Sequence, residues 1–470
     1  MSLELRELAA NPGSGSGWWT PRLAGPLIAA TAVRMALLVA VLARSGTGAL
    51  IQGDTISYLN PGRNLLLHGR FFAEGVPDLV RTPGYPLFLG ITSLAGLPAA
   101  AVANLILSLF SVLLVWRLGR VVTGDDRIAI GAAWLLACEP ISILFSFVLL
   151  SEPLFIVIFL FVLERLTVFL REHRLSDLAL AGILLAAATY VRPITYYLVW
   201  PFALGLFIVL ARIPRLRWKA PAVLLLATVP WLAAWQIRNK LETGFGGFTS
   251  VGDVNLYFYN AAMITAHLEH KSYSEFYQSL GWHLFNEYSG MVYLTPTYLK
   301  SHPEQIGWNQ TQRIAFLHEQ SVRILAAHPL LAMKGCVTPM VQTLFYPGVG
   351  YFNNFFALSS PPKVDSRVDF GAVRASLSLL RERPWEAAEK GIFILILDAL
   401  YLLAVRGFLR LNRKDSCIWL LLGISLYLIA VSAAGGGPGG GDARYRLPIM
   451  PVVCIFAAAG IWRTKAVTRG

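Results

Sequence analysis

The stretch PAAAVANLILSLFSVLLVWRLGR, residues 98–120, is apolar for most of its length and ends in two arginines. A helix that spans a bilayer needs about 20 mostly apolar residues. Nine further stretches of this kind lie on either side of it. We therefore predict an all-α polytopic membrane protein with about ten transmembrane helices, over 22–44, 98–120, 128–147, 153–170, 178–192, 195–211, 220–237, 391–410, 416–434 and 447–463.

The composition excludes the other broad classes of protein. The chain has 470 residues, of which 56% are hydrophobic and 14% charged, and its mean hydropathy is +0.57. Soluble domains average roughly 45–50% apolar and about 25% charged residues. The four cysteines contain no CxxC spacing, so they indicate neither a metal box nor a disulfide framework. A soluble enzyme, a disordered chain and a disulfide-rich secreted scaffold are all excluded.

The net charge of +13 is explained by orientation in a membrane. Basic residues collect on the cytoplasmic side of membrane proteins. With a cytoplasmic N-terminus, one side receives seventeen Lys or Arg at the span ends, namely Arg117, Arg120, Arg127, Arg165, Arg171, Arg174, Arg212, Arg215, Arg217, Lys219, Arg406, Arg410, Arg413, Lys414, Arg463, Lys465 and Arg469. We predict a multi-pass protein of the inner (plasma) membrane with both termini in the cytoplasm and no nucleic-acid partner.

The spans divide the chain into four segments. Residues 1–21 form a cytoplasmic tail, and the first span is an uncleaved anchor. Residues 22–238 form a transmembrane catalytic module whose first outer loop covers 45–97. Residues 239–390 form an extracytoplasmic region, and 391–470 hold the last helices and a cytoplasmic tail. Two apolar runs are too short or too polar for spans, so 84–96 is predicted as an interfacial helix and 328–347 as a surface or re-entrant helix.

Ionisable residues at the outer face are the candidate functional groups, because such groups are costly near a membrane and usually functional. The outer set comprises Asp54, Arg63, Arg70, Glu74, Asp78, Arg81, Glu152, Arg192, Arg238, Arg444 and Arg446. Asp54 could N-cap a short helix that starts at Thr55, or accept a proton from an attacking hydroxyl, and the two roles are compatible. Tyr58 lies one turn later on the same side. Glu152 could be a first-turn acid favoured by the helix dipole, or a second carboxylate that holds a metal ion or orients the acceptor.

The arginines indicate an anion site. A single arginine at a span end often only extends its charge to the lipid headgroups. Several arginines from distant segments suggest convergence on one anion, and the planar guanidinium suits phosphate because it can bond two oxygens at once. The phosphate of a lipid carrier is the natural anion at this depth. We therefore predict donor-phosphate binding by Arg81, Arg192, Arg238, Arg444 and Arg446.

Cofactor signals are weak. His267 and His270 have helical spacing but no defined third ligand for zinc. The run GGGPGGG at 435–441 lacks the features of a phosphate-binding loop. The cofactor is therefore left open, and the two outer carboxylates allow a divalent metal ion.

The order of the motifs resembles that of the GT-C glycosyltransferases, in particular the branch near protein O-mannosyltransferases and the lipid A aminoarabinose transferase. The matching pieces are Asp54 followed by RTPGYPLFL, then SEPLF, VRPI, PWLAAWQIRN and a late RYRLPIMP. The resemblance implies a GT-C-like helical bundle and transfer of a sugar from a polyprenyl-phosphate donor at the outer face. It implies that Asp54 and Glu152 are catalytic acids, and Tyr58 and Tyr85 are taken as substrate-binding residues. Much of that family has an acidic pair where this chain has Asp54–Thr55, so the resemblance does not carry over a paired-acid metal site.

The predicted activity is that of a hexosyl- or pentosyltransferase that inverts the sugar carbon. Asp54 would act as general base, and the arginines would stabilise charge on the departing lipid phosphate. The acceptor would be a lipid, glycan or protein hydroxyl, and membrane lipids would surround the chain. Two alternatives remain open from the sequence, a transporter or flippase of lipid-linked sugars and a polymerase or ligase of lipid-linked glycans. Transporter sites tend to lie near the bilayer midplane, whereas these acids lie mostly at the outer face.

Overall fold

A computed structural model describes residues 19–73, 75–271, 303–356, 384–435 and 442–462 of the chain. The predicted class is confirmed, because the described residues form an all-α polytopic membrane protein whose strands are one short antiparallel pair. Glu74, most of the N-terminal tail, the run 436–441 and the end of the C-terminal tail lie outside the described residues. The helices and strands are α1 (Ala24–Ser45), α2 (Thr55–His68), β1 (Phe72–Ala73), β2 (Val76–Pro77), α3 (Gly84–Thr92), α4 (Leu97–Thr123), α5 (Asp126–Cys138), α6 (Pro140–Leu144), α7 (Glu152–Glu172), α8 (Leu175–Val191), α9 (Val199–Val209), α10 (Pro214–Thr243), α11 (Val251–Asn255), α12 (Ala262–Leu268), α13 (Gln310–Ala327), α14 (Pro329–Phe345), α15 (Val349–Phe355), α16 (Pro384–Arg410), α17 (Ser416–Gly435) and α18 (Met450–Ile461).

Seven of the ten predicted spans are helices long and apolar enough to cross a membrane. The remaining three are shorter. The run 128–147 is broken into α5 and α6 before Pro140, and the runs 178–192 and 195–211 contain α8 and α9, which are separated at Pro193. Proline lacks an amide donor and disfavours helical geometry in the residue before it. Helices α5 and α8 therefore end before Pro140 and Pro193, and the three runs contain helices that are shorter than a full span.

The segment 328–347, predicted as a surface or re-entrant helix, contains helix α14. It follows α13 directly and is bent by 104° from it, which is the geometry of a broken span or a re-entrant loop. Taken together, the bent pair is apolar enough to count as an eighth span. The segment is therefore helical, as predicted, and sharply angled to its neighbour.

The segment between α1 and α4, which includes the predicted first outer loop, is built around two short helices in close contact. The run 84–96 is helical, as predicted, with α3 followed by a single 3₁₀ turn at Ser93–Ala95. Helices α2 and α3 pack against each other at Gly62, where an added Cβ would lie 2.0 Å from the carbonyl oxygen of Pro86. This contact fixes the direction of α2, which begins immediately after Asp54.

A buried irregular segment, 145–151, leads into α7. Its side chains are almost fully enclosed, and its backbone is held by polar side chains of the surrounding helices. The Asn104 amide donates to the Val148 carbonyl at 2.6 Å, and the Thr55 hydroxyl donates to the Leu149 carbonyl at 3.1 Å. Buried backbone groups must find partners, so these bonds determine where Glu152, the first residue of α7, is placed.

Arg34 lies inside span α1 and is fully buried. Its guanidinium donates to the carbonyls of Ala137 at 2.8 Å and Leu136 at 3.4 Å, and to the Ser108 hydroxyl at 3.1 Å. The last carbonyls of a helix have no partners within that helix, and a cation there is favoured by the helix dipole. The break between α5 and α6 exposes these carbonyls, and Arg34 satisfies them.

The last helix, α18, is enclosed by its neighbours and packs most extensively against α16. The two cross at small residues, since a Cβ added to Gly460 would lie 2.1 Å from the Leu403 carbonyl oxygen. Small residues at such a crossing allow helices in a bilayer to approach closely. This packing fixes the short 3₁₀ helix Ala443–Ile449 that precedes α18 and carries Arg444.

Candidate active site

Asp54 is the centre of the candidate site. Its side chain makes no capping hydrogen bond to α2, although it occupies the N-cap position. Instead, Oδ1 lies 2.8 Å from Nη2 of Arg81, and Oδ2 lies 3.1 Å from Nη2 of Arg444. The carboxylate, 28% exposed, thus joins the first loop to the segment before the last helix.

The two arginines determine the charge state of Asp54. Burial by itself would raise the pKa of the carboxyl, but the charges and hydrogen bonds of Arg81 and Arg444 outweigh it and hold the pKa below its usual range. Asp54 is therefore ionised across the physiological pH range. A carboxylate with so low a pKa is a weak proton acceptor while both ion pairs are closed.

Arg81 is held rigidly by its neighbours. Its Nε donates to the Ser57 hydroxyl at 2.9 Å, and its guanidinium carbon lies 4.6 Å from the centre of the Tyr58 ring. Its backbone amide donates to Oδ1 of Asp78 at 2.9 Å. These contacts orient the Arg81 guanidinium group toward Asp54.

A second ion pair lies beside the first. Oε1 of Glu152 lies 2.5 Å from Nη1 of Arg192, and Glu152 is 2% exposed. The hydroxyl groups of Tyr58 and Ser151, the residue before Glu152, are 3.5 Å apart and connect the two pairs. Arg192 and Arg444 are also close enough to interact electrostatically. The two pairs therefore bring three guanidinium groups close to the carboxylates of Asp54 and Glu152.

The two predicted substrate-binding tyrosines have different surroundings. Tyr58 is part-buried within the site, where Nη1 of Arg81 donates to its hydroxyl at 3.4 Å. Tyr85 is fully buried, accepts a hydrogen bond from the Asn104 amide at 3.1 Å and packs edge-on against the Tyr58 ring at 5.0 Å. Tyr85 is therefore a buried packing partner of the Tyr58 ring.

The other two predicted arginines make their contacts elsewhere. Arg238 pairs with Glu242 at 2.7 Å and donates to the Phe71 carbonyl at 2.9 Å. Arg446 is buried and donates to the carbonyls of Thr343 and Tyr346 at the end of α14. The structure thus brings Arg81, Arg192 and Arg444 together around the acids and places Arg238 and Arg446 in other networks.

Three residues in and beside the site were not identified from the sequence. Ser57 orients Arg81, as described above. Asp442 accepts a hydrogen bond from the Tyr351 hydroxyl and lies 3.8 Å from Nε of Arg444. Asp442 stands in the same DARYRLP motif as Arg444, so the motif contained the signal, whereas nothing in the sequence connects it to Tyr351.

The surroundings of the two acids do not fit a divalent metal ion. Mg²⁺ and Ca²⁺ take six or more oxygen ligands, some of them from water, and the described part of the chain contains no group of three His, Cys, Asp or Glu that could hold a metal ion. Both oxygens of Asp54 already face guanidinium groups, as does Oε1 of Glu152. The guanidinium groups around the two acids therefore favour an anion over a metal ion.

The fold is similar to solved structures of membrane glycosyltransferases. One is the apo oligosaccharyltransferase of Archaeoglobus fulgidus, with a TM-score of 0.48, 14% identity, and coverage of 95% of this chain and 50% of that one. A second is the complex of the oligosaccharyltransferase AglB from the same organism with an inhibitory peptide and a dolichol-phosphate. Its TM-score is 0.44 and its identity 14%, and the match covers 91% of this chain and 50% of that one. A third is ArnT from Cupriavidus metallidurans bound to undecaprenyl phosphate, with a TM-score of 0.37, 13% identity, and coverage of 93% of this chain and 77% of that one.

The chain spans about half the length of the archaeal enzymes. No family model and no curated protein matches the chain. At these identities the similarity concerns the arrangement of helices and assigns neither substrate nor site residue.

Proposed function

We propose that the protein transfers a sugar from a polyprenyl-phosphate donor to an acceptor hydroxyl at the extracytoplasmic face of the membrane. The observation that carries the proposal is the Asp54 carboxylate held between Arg81 and Arg444, with the Glu152–Arg192 pair beside it. These residues come from four distant segments of the chain. The resemblance of the motifs to GT-C glycosyltransferases supports the same activity.

The three convergent guanidinium groups favour a phosphate ligand. Each of them faces a carboxylate, and Asp442 lies 3.8 Å from Nε of Arg444, so an incoming phosphate would exchange with a carboxylate at one of the arginines. Guanidinium binds phosphate through two parallel hydrogen bonds. The donor phosphate would bind Arg444 and Arg192, since Arg81 is already engaged by Ser57 and Tyr58.

Binding of the phosphate would also activate Asp54. An incoming phosphate competes with Oδ2 of Asp54 for Arg444, and loss of that ion pair raises the proton affinity of the carboxylate. The acceptor O–H then attacks the anomeric carbon and its proton moves to Asp54. The bond from that carbon to the phosphate oxygen breaks, and its electron pair leaves with the lipid phosphate, whose charge the arginines stabilise. Attack opposite the leaving group inverts the carbon.

The decisive experiment is a transfer assay with a radiolabelled polyprenyl-phosphate sugar and purified protein in detergent. Asp54→Asn keeps the shape of the side chain but cannot take the proton, so we expect the rate to fall about 10²–10⁴-fold. Asp415→Asn is the matched control, because Asp415 pairs with Arg171 at the other end of helix α7, and it should transfer at the wild-type rate.

Equal rates for Asp54→Asn and wild type would remove the general-base role. Absence of transfer by the wild type with every donor tried, combined with movement of the labelled lipid between leaflets of a vesicle, would instead favour a flippase. Both outcomes contradict the proposal in different ways.

A further inference from the structure

An apolar groove lies at the opposite end of helix α7 from Glu152. Its floor is α7 at Leu166 and Leu170, and its walls are α9 and α17. The groove has a volume of about 450 Å³. At 1.5 Å per residue, Leu166 lies roughly 20 Å along α7 from Glu152, so this end of the groove is well separated from Glu152.

The walls of the groove are held open by small residues. Gly205 on α9 and Gly423 on α17 line it, and a Cβ added to either would meet open space. Larger apolar side chains such as Phe202, Leu206 and Ile424 form the rest of the lining. The groove is thus lined mainly by apolar residues, with open space beside both glycines.

Its length suits one lipid chain. The lining residues on α9 and the turn before it run from Leu198 to Val209, which corresponds to about 16 Å of helix. Half of a bilayer's hydrocarbon core is about 15 Å thick. One leaflet's acyl chain would therefore occupy the groove from end to end.

The groove opens at one end among basic residues. Arg171 directly follows the lining residue Leu170, Arg212 follows Val209 by three positions, and Arg413 and Lys414 precede Ser416. The nearby acids are Asp415, which pairs with Arg171 at 2.5 Å, and Glu172, which pairs with Arg174 at 3.0 Å. Arg212, Arg413 and Lys414 are exposed.

An aromatic side chain stabilises this mouth. The indole of Trp419 lines the groove and donates to the Arg413 carbonyl at 2.7 Å, which fixes the loop that carries Arg413 and Lys414. Tryptophan favours the level of the lipid headgroups. The mouth therefore lies where a phosphate headgroup would be.

We propose that this groove binds an anionic phospholipid of the leaflet at the basic ends of the spans. One acyl chain lies between α9 and α17, and the phosphate lies against Arg212, Arg413 and Lys414. Basic pockets between helices at this side of a membrane suit negatively charged headgroups. This site is independent of the proposed transfer reaction.

Native mass spectrometry of the purified full chain tests the proposal with phosphatidylglycerol and phosphatidylcholine of identical acyl chains. Wild type should bind phosphatidylglycerol about tenfold more tightly. Replacing Arg212, Arg413 and Lys414 together with Gln should abolish that preference, because these three residues supply the exposed positive charge at the mouth of the groove. Equal binding of the two lipids by the wild type would overturn the proposal.

The groove itself is tested by Gly423→Phe and Gly205→Phe, each of which places a ring in the channel. Either variant should lower phosphatidylglycerol affinity at least tenfold, and two variants guard against one that fails to fold. Gly391→Phe is the matched control, because a Cβ at Gly391 on α16 also meets open space but lies outside the groove. Unchanged affinity in both groove variants, or displacement of phosphatidylglycerol by polyprenyl phosphate at equal concentration, would contradict the assignment.

Discussion

Asp54, which precedes helix α2 in the first loop, and Arg444, which precedes the last helix, form an ion pair with 3.1 Å between Oδ2 and Nη2. The pair connects the first loop to the segment before α18, and Arg81 forms the second ion pair of the same carboxylate. Asp54 is therefore both a structural link and the proposed proton acceptor. Arg444 cannot hold Asp54 and a phosphate equally well, so the carboxylate and a bound phosphate compete for the same guanidinium group.

Arg444→Gln should weaken donor binding. The change removes the cation proposed to exchange Asp54 for phosphate, so we expect the KM for the lipid donor to rise about tenfold or more, with a smaller change for the acceptor. Arg444→Lys should recover only part of the affinity, because an ammonium group lacks the planar fork that bonds two oxygens. Initial rates at varied donor and acceptor concentrations separate the two effects.

The control for this change is Arg323→Gln, since Arg323 is exposed on helix α13, and its kinetics should match those of the wild type. A rise in the acceptor KM with no change in the donor KM would contradict the phosphate role of Arg444.

Gly62→Ala should destabilise the first loop and displace Asp54 and Arg81 together. The added Cβ would lie 2.0 Å from the Pro86 carbonyl oxygen, so α2 and α3 must move apart. Overpacking of this kind costs about 1–3 kcal/mol. We expect a lower Tm and a fall in transfer rate, measured by thermal unfolding in detergent and by the assay above.

Gly48→Ala is the matched substitution in the same loop, because a Cβ there meets open space. It should leave both Tm and rate unchanged. If Gly62→Ala behaved in the same way, the close contact between α2 and α3 would not position the site.

Some of this architecture follows from the sequence and some does not. The spans follow from apolar runs, and their breaks coincide with Pro140 and Pro193. The choice between Arg444 and Arg446 does not follow, since both lie in one 3₁₀ helix two positions apart and face different partners. The positions of these arginines depend on helix crossings such as that at Gly460. Their separation in the sequence therefore does not indicate which of them come together.

Arg34 is a further case in which the sequence was insufficient. It stands in an apolar run that reads simply as a span. Its partners are carbonyls made available by the break before Pro140 in another helix. Only the three-dimensional packing of α1 against α5 connects the two features.

Arg34→Met should therefore destabilise the fold. Methionine fills a similar volume but leaves the carbonyls of Leu136 and Ala137 without their charged donor. Hydrogen bonds to charged groups contribute about 1.5–3 kcal/mol each, and the saving from removing a buried charge offsets part of this. We expect a net loss of about 2 kcal/mol, measured as a lower Tm in detergent.

Arg22→Met provides the comparison, because the side chain of Arg22 is 75% exposed and its only ion pair spans 3.9 Å among the described contacts. Its Tm should stay within about 1 °C of the wild type, as expected for surface substitutions. A Tm for Arg34→Met equal to that of the wild type would show that the carbonyls find other partners.

Asp78 should make stability depend on pH. It is almost fully buried, and its Oδ1 accepts the backbone amides of Val80 and Arg81 at 2.8 and 2.9 Å. Burial raises the pKa of its carboxyl from 3.8 to about 6, only partly offset by those hydrogen bonds and by the charges of Arg81 and Arg238. The folded protein therefore holds this proton more tightly than the unfolded chain. The resulting contribution to stability is fully present below about pH 4 and is lost as the pH rises through about 6.

Asp78→Asn keeps an acceptor for the two amides but cannot titrate. The Tm of the wild type minus that of Asp78→Asn should therefore decrease between pH 4.5 and pH 7, and level off above pH 7. Thermal unfolding in one detergent at constant ionic strength measures this difference, and taking the difference cancels groups that titrate in both proteins. A difference that stays constant over this range would mean that Asp78 has the same pKa in the folded and unfolded chain, and that its carboxylate is solvated in the native loop.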